Sequence, residues 1–279
     1  MSNENKSNGS LPLVIIGLVL VAAIAGGWWL YQNSKSTPVK TSSGNTNKKK
    51  DDTNALQIYQ NAPPGAQPAN MLGSPTATVT IEEFADFQCP TCATVHTKMK
   101  EITSIYGSRI KFIYRSFPLT QIHKNAYDAA VAAEAAGMQG KYWDMQNQLF
   151  TNQQAWSNSS EARRIFGEYA QKIGLDVNKF ETDSLGLASK SRVDLDIARG
   201  RSLGITGTPS IFINGRQIPF EQFDVAPMRR VIDAELQRAQ SGAMQSSGTS
   251  QLNSANTAST NNTNVSDGAP SSNANAVKK

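Results

Sequence analysis

Cysteine and histidine are nearly absent from this chain of 279 residues, which holds two of each. Two thiols cannot build the framework of a disulfide-rich scaffold, and they exclude a four-thiolate zinc site. A surplus of positive charge is also missing from the part able to fold. Between residues 71 and 240 there are 19 basic and 18 acidic residues, so the net +5 comes from Lys6, Lys35, Lys40, Lys48, Lys49, Lys50, Lys278 and Lys279. Nucleic-acid binding needs a basic face, and that class is set aside. Large apolar residues are scarce in residues 32–70 and 241–279, which are rich in Ser, Thr and Asn. Such stretches bury too little surface to offset their ordering entropy. The first reads as a flexible linker and the second as a disordered tail, which leaves one domain of residues 71–240.

One long apolar run is present. After a polar flank of residues 1–10, residues 11–31 are uncharged and close with Trp28, Trp29 and Tyr31. About 20 such residues span roughly 30 Å of hydrocarbon as a helix, and aromatic residues favour the membrane interface. A cleaved signal peptide would use Ala23-Ile24-Ala25 ahead of Gly26, but Lys6 is offset by Glu4 and the apolar run continues past that site. The reading is an uncleaved anchor, and no cysteine follows it closely enough for a lipoprotein. Lys35, Lys40 and the Lys48 to Lys50 triplet, taken alone, would keep the domain in the cytoplasm by the positive-inside rule. Large domains nevertheless translocate despite flanking charge. The expected address is therefore the inner cell membrane, crossed once, with an extracytoplasmic domain.

Within the domain, residues 77–84 alternate so that Val79, Ile81 and Glu83 share one strand face. A carboxylate on an apolar face is costly unless it has a partner or a task. Residues 90–106 suit a helix, with Val95, Met99, Ile102 and Ile105 at helical spacing and Gly107 as its stop, and residues 110–115 follow as a strand. Strand, helix, strand implies a parallel crossover. From about 119 to 204 the pattern is helical: 126–136, 142–150, a third helix capped by Ser160, a fourth begun by Asp176, and 188–203 ended by Gly204. Residues 210–213, the turn Asn214-Gly215 and residues 216–218 read as a hairpin, and Pro227 opens a last helix.

The two cysteines stand at Cys89-Pro90-Thr91-Cys92, at the start of the first helix. Sulfurs at i and i+3 there can close a small disulfide ring. Cys89 would face the unpaired amides and the positive end of the helix dipole, which stabilise a thiolate, while Cys92 lies one turn in. That division makes Cys89 the nucleophile and Cys92 the resolving thiol.

The stretch 79–92, Val-Thr-Ile-Glu-Glu-Phe-Ala-Asp-Phe-Gln-Cys-Pro-Thr-Cys, resembles the active-site strand of DsbA-like thiol:disulfide oxidoreductases of the thioredoxin superfamily. So do Phe117-Pro118-Leu119 with His123 and Ala126, Gly140-Lys141-Tyr142-Trp143, and the run from Gly204 to Pro209 followed by Phe212 and Asn214-Gly215. The resemblance covers about residues 72–236 in order and spacing. It implies an α/β thioredoxin fold with an inserted helical subdomain, here behind one transmembrane helix, and disulfide exchange with thiol-containing secreted or membrane proteins. By the same match, Pro209 is the family's cis-proline, with Thr208 before it, offering backbone pairing to an extended substrate. Glu83, six before Cys89, corresponds to the buried acid that assists proton transfer at the second cysteine. Where family members often carry histidine, this chain has Thr91, a position that influences the nucleophile's pKa and the redox potential. No dissociable cofactor is implied, the redox group being the Cys89–Cys92 pair itself, and a membrane redox partner is expected to reset it. The chain is expected to act as an oxidant.

Two other readings stand beside this one. Cys89, Cys92, His96 and His123 total four candidate zinc ligands, but His96 is one turn past Cys92 and His123 lies far along the chain, so no metal is assigned. Both histidines otherwise read as surface or packing residues. The other class is a non-catalytic peptide-binding or chaperone module, in which the cysteines form only a structural bridge.

Overall fold

A computed structural model describes residues 45–259, with side chains for residues 53–242. Residues 11–31, expected to form the membrane anchor, lie outside the described residues, as do 1–10 and 260–279. Among the described residues no helix is long and apolar enough to cross a membrane. The chain packs as two units, Met1–Asp51 and Asp52–Lys279, of which the second contains the sheet and both cysteines.

The centre of this second unit is a five-stranded sheet in the order β1-β3-β2-β4-β5. The strands are β1 (Asn70–Gly73), β2 (Val79–Ala85), β3 (Ile110–Ser116), β4 (Ser210–Ile213) and β5 (Arg216–Gln217). β2 and β3 run parallel, and every other pair is antiparallel. The crossover between the parallel strands is α2 (Pro90–Tyr106), which Gly107 ends at φ 52°. Alternation along β2 sends Val79, Ile81, Glu83 and Ala85 to the face covered by α2, where Val95, Met99 and Ile102 pack. Ile105, expected in that stripe, is more than a third exposed, and Tyr106 takes the buried place at the end of the helix.

Between β3 and β4 lies the helical insertion: α3 (Ala126–Gly137), α4 (Tyr142–Thr151), the short α5 (Gln153–Trp156), α6 (Ala162–Lys172), α7 (Val177–Leu185) and α8 (Leu187–Ser202). The expected Ser160 cap is not formed. α6 starts at Ala162, and it is the Ser159 hydroxyl that accepts from the Glu161 amide at 3.0 Å. Asp176 does cap α7, accepting from the Lys179 amide. Opposite α2, Phe84, Phe117 and Phe212 form a second cluster, onto which α8 packs so closely that a Cβ on Gly200 would lie 2.6 Å from the Phe117 ring. The turn Asn214-Gly215 has φ of 48° and 79°, the left-handed pair that a two-residue hairpin turn demands.

Two boundaries differ from the sequence reading. Residues 32–70 were expected to be a flexible linker, but Asn45–Asn61 form a helix, α1, and the chain that follows is bound to the domain. Arg115 donates to the carbonyls of Pro64 and Ala66 at 2.8 and 2.9 Å, Arg199 to Pro63 at 2.8 Å, and Arg192 to Gln67 and Pro68 at 3.0 and 2.9 Å. Polar segments of this kind are held through backbone carbonyls rather than apolar side chains, so composition reports nothing of it. The guanidinium groups of Arg115 and Arg199 are themselves gripped by Glu82, and Arg115 also by Asp196. Tyr59 closes the set, its hydroxyl donating to Glu82 at 2.7 Å and its ring lying beneath Arg199.

The second difference is at the other end. The last helix, α9, runs Val225–Ser259, starting two residues before Pro227 and continuing through residues 241–259, which were expected to be disordered. A helix whose first turns are anchored by buried Met228 and Ile232 needs no new nucleation to continue, and no proline follows Pro227 before Ser259.

Candidate active site

β2 ends at the top of the sheet, and residues 86–89 carry the chain into α2. Cys89 is the N-cap residue of that helix, with extended backbone, and Pro90 occupies the first turn, where a missing amide costs nothing. The Cys89 amide donates back to the Asp86 carbonyl at 3.1 Å. Both cysteines are free thiols and buried, Cys89 at 8% exposure and Cys92 at 0%. The Cys89 Sγ lies 3.5 Å from the Thr208 carbonyl oxygen, and the Thr208–Pro209 bond is cis. The residues singled out in the sequence on two distant segments, 89–92 and 208–209, therefore meet.

The two thiols are driven apart electrostatically. A hydrogen bond from the Cys92 thiol, reinforced by the backbone amides of Cys92 and Thr91, brings Cys89 from 9.0 down to about 5 against the opposing effect of burial. Burial pushes Cys92 well above the ordinary thiol range, with the hydrogen bond to Cys89 and the charge on it adding to the rise. Glu83 lies on the apolar face beneath them, 2% exposed, and burial pushes its carboxyl up to about 8. Its neighbour Glu82 faces the other way. There burial opposes ionisation, but the hydrogen bond from Arg199 and the charges of Arg115 and Arg199 hold the carboxyl below the ordinary value. Pro90 and Thr91 are exposed and border a groove whose far wall is Phe220 and Phe223.

A set of polar residues that sequence reasoning left without a role fixes the loop. The buried Asp86 carboxylate accepts from the Gln88 amide at 2.7 Å and the Leu119 amide at 2.8 Å, and it pairs with His123 Nδ1 at 2.7 Å. The Gln88 side chain donates to the Ser157 carbonyl and accepts from the Asn125 amide, each at 2.8 Å. Gln153 donates to the carbonyls of Phe87 and Cys89 at 2.7 and 2.9 Å. The insertion thus holds the cysteine loop both by its backbone, through Gln153, and by its Asp86 and Gln88 side chains. His96 is elsewhere, stacked on Phe150 at 4.8 Å.

A family model described as thioredoxin matches residues 66–234, more than half of the chain. The chain belongs to the thioredoxin family. Among solved structures, this thioredoxin-family chain is similar to oxidised BdbD from Bacillus subtilis, with 23% identity, a TM-score of 0.55, and coverage of 63% of this chain and 98% of that one. It is also similar to the thiol-disulfide exchange protein alpha-DsbA2 from Wolbachia pipientis, with 20% identity, a TM-score of 0.58, and coverage of 68% and 98%. These likenesses establish the fold, a thioredoxin-like mixed sheet with a helical insertion. Among curated proteins, a sodium–proton antiporter, NhaA 1, from Mycolicibacterium gilvum is 34% identical over 167 residues, which cover 59% of this chain and 26% of that protein. The chain thus spans about a quarter of the length of that relative, and the antiporter name describes the whole of it.

Proposed function

We propose that this thioredoxin-family chain is a DsbA-like thiol:disulfide oxidoreductase, tethered to the cell membrane by residues 11–31, that oxidises protein thiols outside the cytoplasm. The observation that carries the reading is the opposed placement of two adjacent thiols: Cys89 caps the start of α2 with its Sγ 3.5 Å from the Thr208 carbonyl beside the cis bond, which holds it low, and Cys92 is fully buried one turn in, which pushes it up. A structural bridge has no use for that division. An exchange catalyst needs it, because a low-pKa sulfur is the better leaving group and the stabilised thiolate favours the reduced form.

In the forward direction, a substrate thiolate attacks the Cys89 sulfur of the disulfide form. The Cys89–Cys92 bond breaks, and Cys92 leaves with the electron pair and takes a proton from Glu83. The second substrate thiolate attacks the substrate sulfur of the mixed disulfide and releases Cys89 as a thiolate. The substrate has lost two electrons and the cysteine pair has gained them, so a membrane redox partner must reoxidise the pair. The cis Thr208–Pro209 segment, beside Cys89, would offer its backbone to the extended substrate chain, while Pro90 and Thr91 form the exposed turn of the ring.

Replacing Cys89 by Ser is expected to abolish oxidation of reduced ribonuclease, and Cys92→Ser to accumulate substrates as mixed disulfides. Full activity in Cys89→Ser would remove the enzyme reading. Protease added to intact spheroplasts is expected to degrade the domain, and a protected domain would overturn the proposed address.

A further inference from the structure

When Glu83 gives its proton to the Cys92 thiolate, a carboxylate is left on the apolar face of the sheet. Burial alone governs the Glu83 pKa, so no cation is placed to receive that charge, and among the described residues no hydrogen bond reaches the carboxyl. An ionised group in such surroundings is costly unless a donor turns to it.

A donor stands on the next strand. Tyr114 is the register partner of Glu83 across the parallel pair β2 and β3, so both side chains leave the same face of the sheet. The Tyr114 hydroxyl is buried and has no hydrogen-bond partner, a rare condition for a buried polar atom. Its ring is held by Phe87 at 5.3 Å, Tyr142 at 6.2 Å and Phe150 at 6.3 Å. Two further hydroxyls in this region, those of Ser116 on the same face of β3 and of Tyr142, are buried beside each other. An acceptor lacking a donor and a donor lacking an acceptor thus share one face.

We propose that Tyr114 is a positioning residue of the exchange cycle, its phenol donating a hydrogen bond to the Glu83 carboxylate, directly or through one water, whenever Glu83 has passed its proton to Cys92. This rests on the proton role proposed above for Glu83. Tyr114 keeps its own proton throughout, because burial and the neighbouring Tyr142, Glu83, Cys92 and Asp86 hold its pKa well above the ordinary value. The Glu83 proton moves to the Cys92 sulfur as the disulfide opens, and Glu83 then regains a proton from water, so that the reduced pair has gained one; as the disulfide closes, the ionised Glu83 takes the Cys92 proton, and no electron passes through the tyrosine.

The test is Tyr114→Phe in the full chain, which removes one oxygen and keeps the ring contacts. Because that oxygen is unpaired in the dithiol form, folding stability is expected to hold or rise slightly. The readout is the rate at which Cys92 resolves a Cys89–glutathione mixed disulfide, measured against pH. In the unsubstituted chain the rate should climb as Glu83 ionises near pH 8. In Tyr114→Phe the climb should move to higher pH and the rate at neutral pH should fall about tenfold, the size of one hydrogen bond to a charged group, while alkylation of Cys89 is unchanged. In a Glu83→Gln background the same substitution should have no further effect. A Tyr114→Phe profile that superimposes on the unsubstituted one, or an equal loss in both backgrounds, overturns the proposal. If Glu83→Gln alone leaves rate and profile intact, the proton role of Glu83 fails first and the tyrosine's role falls with it.

Discussion

The proposed division between the thiols has a direct consequence for how the midpoint potential depends on pH. Reducing the disulfide takes two electrons and as many protons as the product thiols retain. With Cys89 at about 5 and Cys92 well above 9.0, the reduced pair at pH 7 holds one proton, on Cys92. For a two-electron couple a tenfold change in equilibrium constant is about 30 mV, so the potential should fall about 30 mV per pH unit between about pH 6 and 7. Below about pH 5, where Cys89 is also protonated, the slope should steepen to about 59 mV per unit. A thiol at 9.0 would give the steeper slope throughout, and the difference between 9.0 and about 5 makes the pair more oxidising at pH 7 by about 60 mV. The assay is equilibration with glutathione buffers at a series of pH values, reading the thiolate by its ultraviolet absorbance. A slope near 59 mV per unit through neutrality would refute the low Cys89 pKa and with it the structural case for an oxidant.

Three further outcomes are expected. The Glu83 carboxyl rises from 4.5 to about 8, so its effect on stability is fully favourable below pH 4.5 and is lost as pH rises through 8. Glu83→Gln should therefore stabilise the reduced protein by roughly 3 kcal/mol at pH 7 and by nothing at pH 4, as measured by urea unfolding; an equal gain at both pH values would contradict the buried acid. Cys89, lowered from 9.0, contributes stability that is present above that value and lost as pH falls through about 5. Reduced Cys89→Ser should lack this pH dependence, which a comparison of its urea midpoints with those of the unsubstituted reduced chain checks. A chain starting at residue 71 rather than 53 should lose on the order of 5 kcal/mol, since six hydrogen bonds to residues 63–68, each contributing about 1 kcal/mol, disappear. Equal urea midpoints for the two chains would show that this segment is dispensable.

The elements that read clearly in the sequence are those whose side chains bury apolar surface or need a special backbone. Period-two alternation placed Glu83 on the buried face of β2, helical spacing placed most of the buried face of α2, and Asn214-Gly215 marked the hairpin. Cys89 and Cys92 were visible from their spacing, and Thr208-Pro209 from the resemblance. What escaped was polar structure whose partners are backbone atoms. Asp86, Gln88 and Gln153 hold the cysteine loop through amides and carbonyls, and such bonds leave no periodicity to count. Residues 62–69 escaped for the same reason, being gripped by arginines more than 40 positions away in sequence.

Glu82 and Glu83 are chemically almost the same residue, one position apart. The sheet sends one toward two guanidinium groups, where it is charged, and the other toward the sulfurs, where it keeps its proton. A slip of β2 by one residue that brings Glu82 to the place of Glu83 brings Ile81 to the place of Glu82. The carboxyl then beneath Cys92 would be the same chemical group, but Arg115 and Arg199 would face Ile81 where they now grip Glu82. The doublet therefore acts as a register lock: strand pairing is proofread by charge as well as by packing, and a misaligned sheet would carry an unpaired pair of arginines long before its chemistry could be tried.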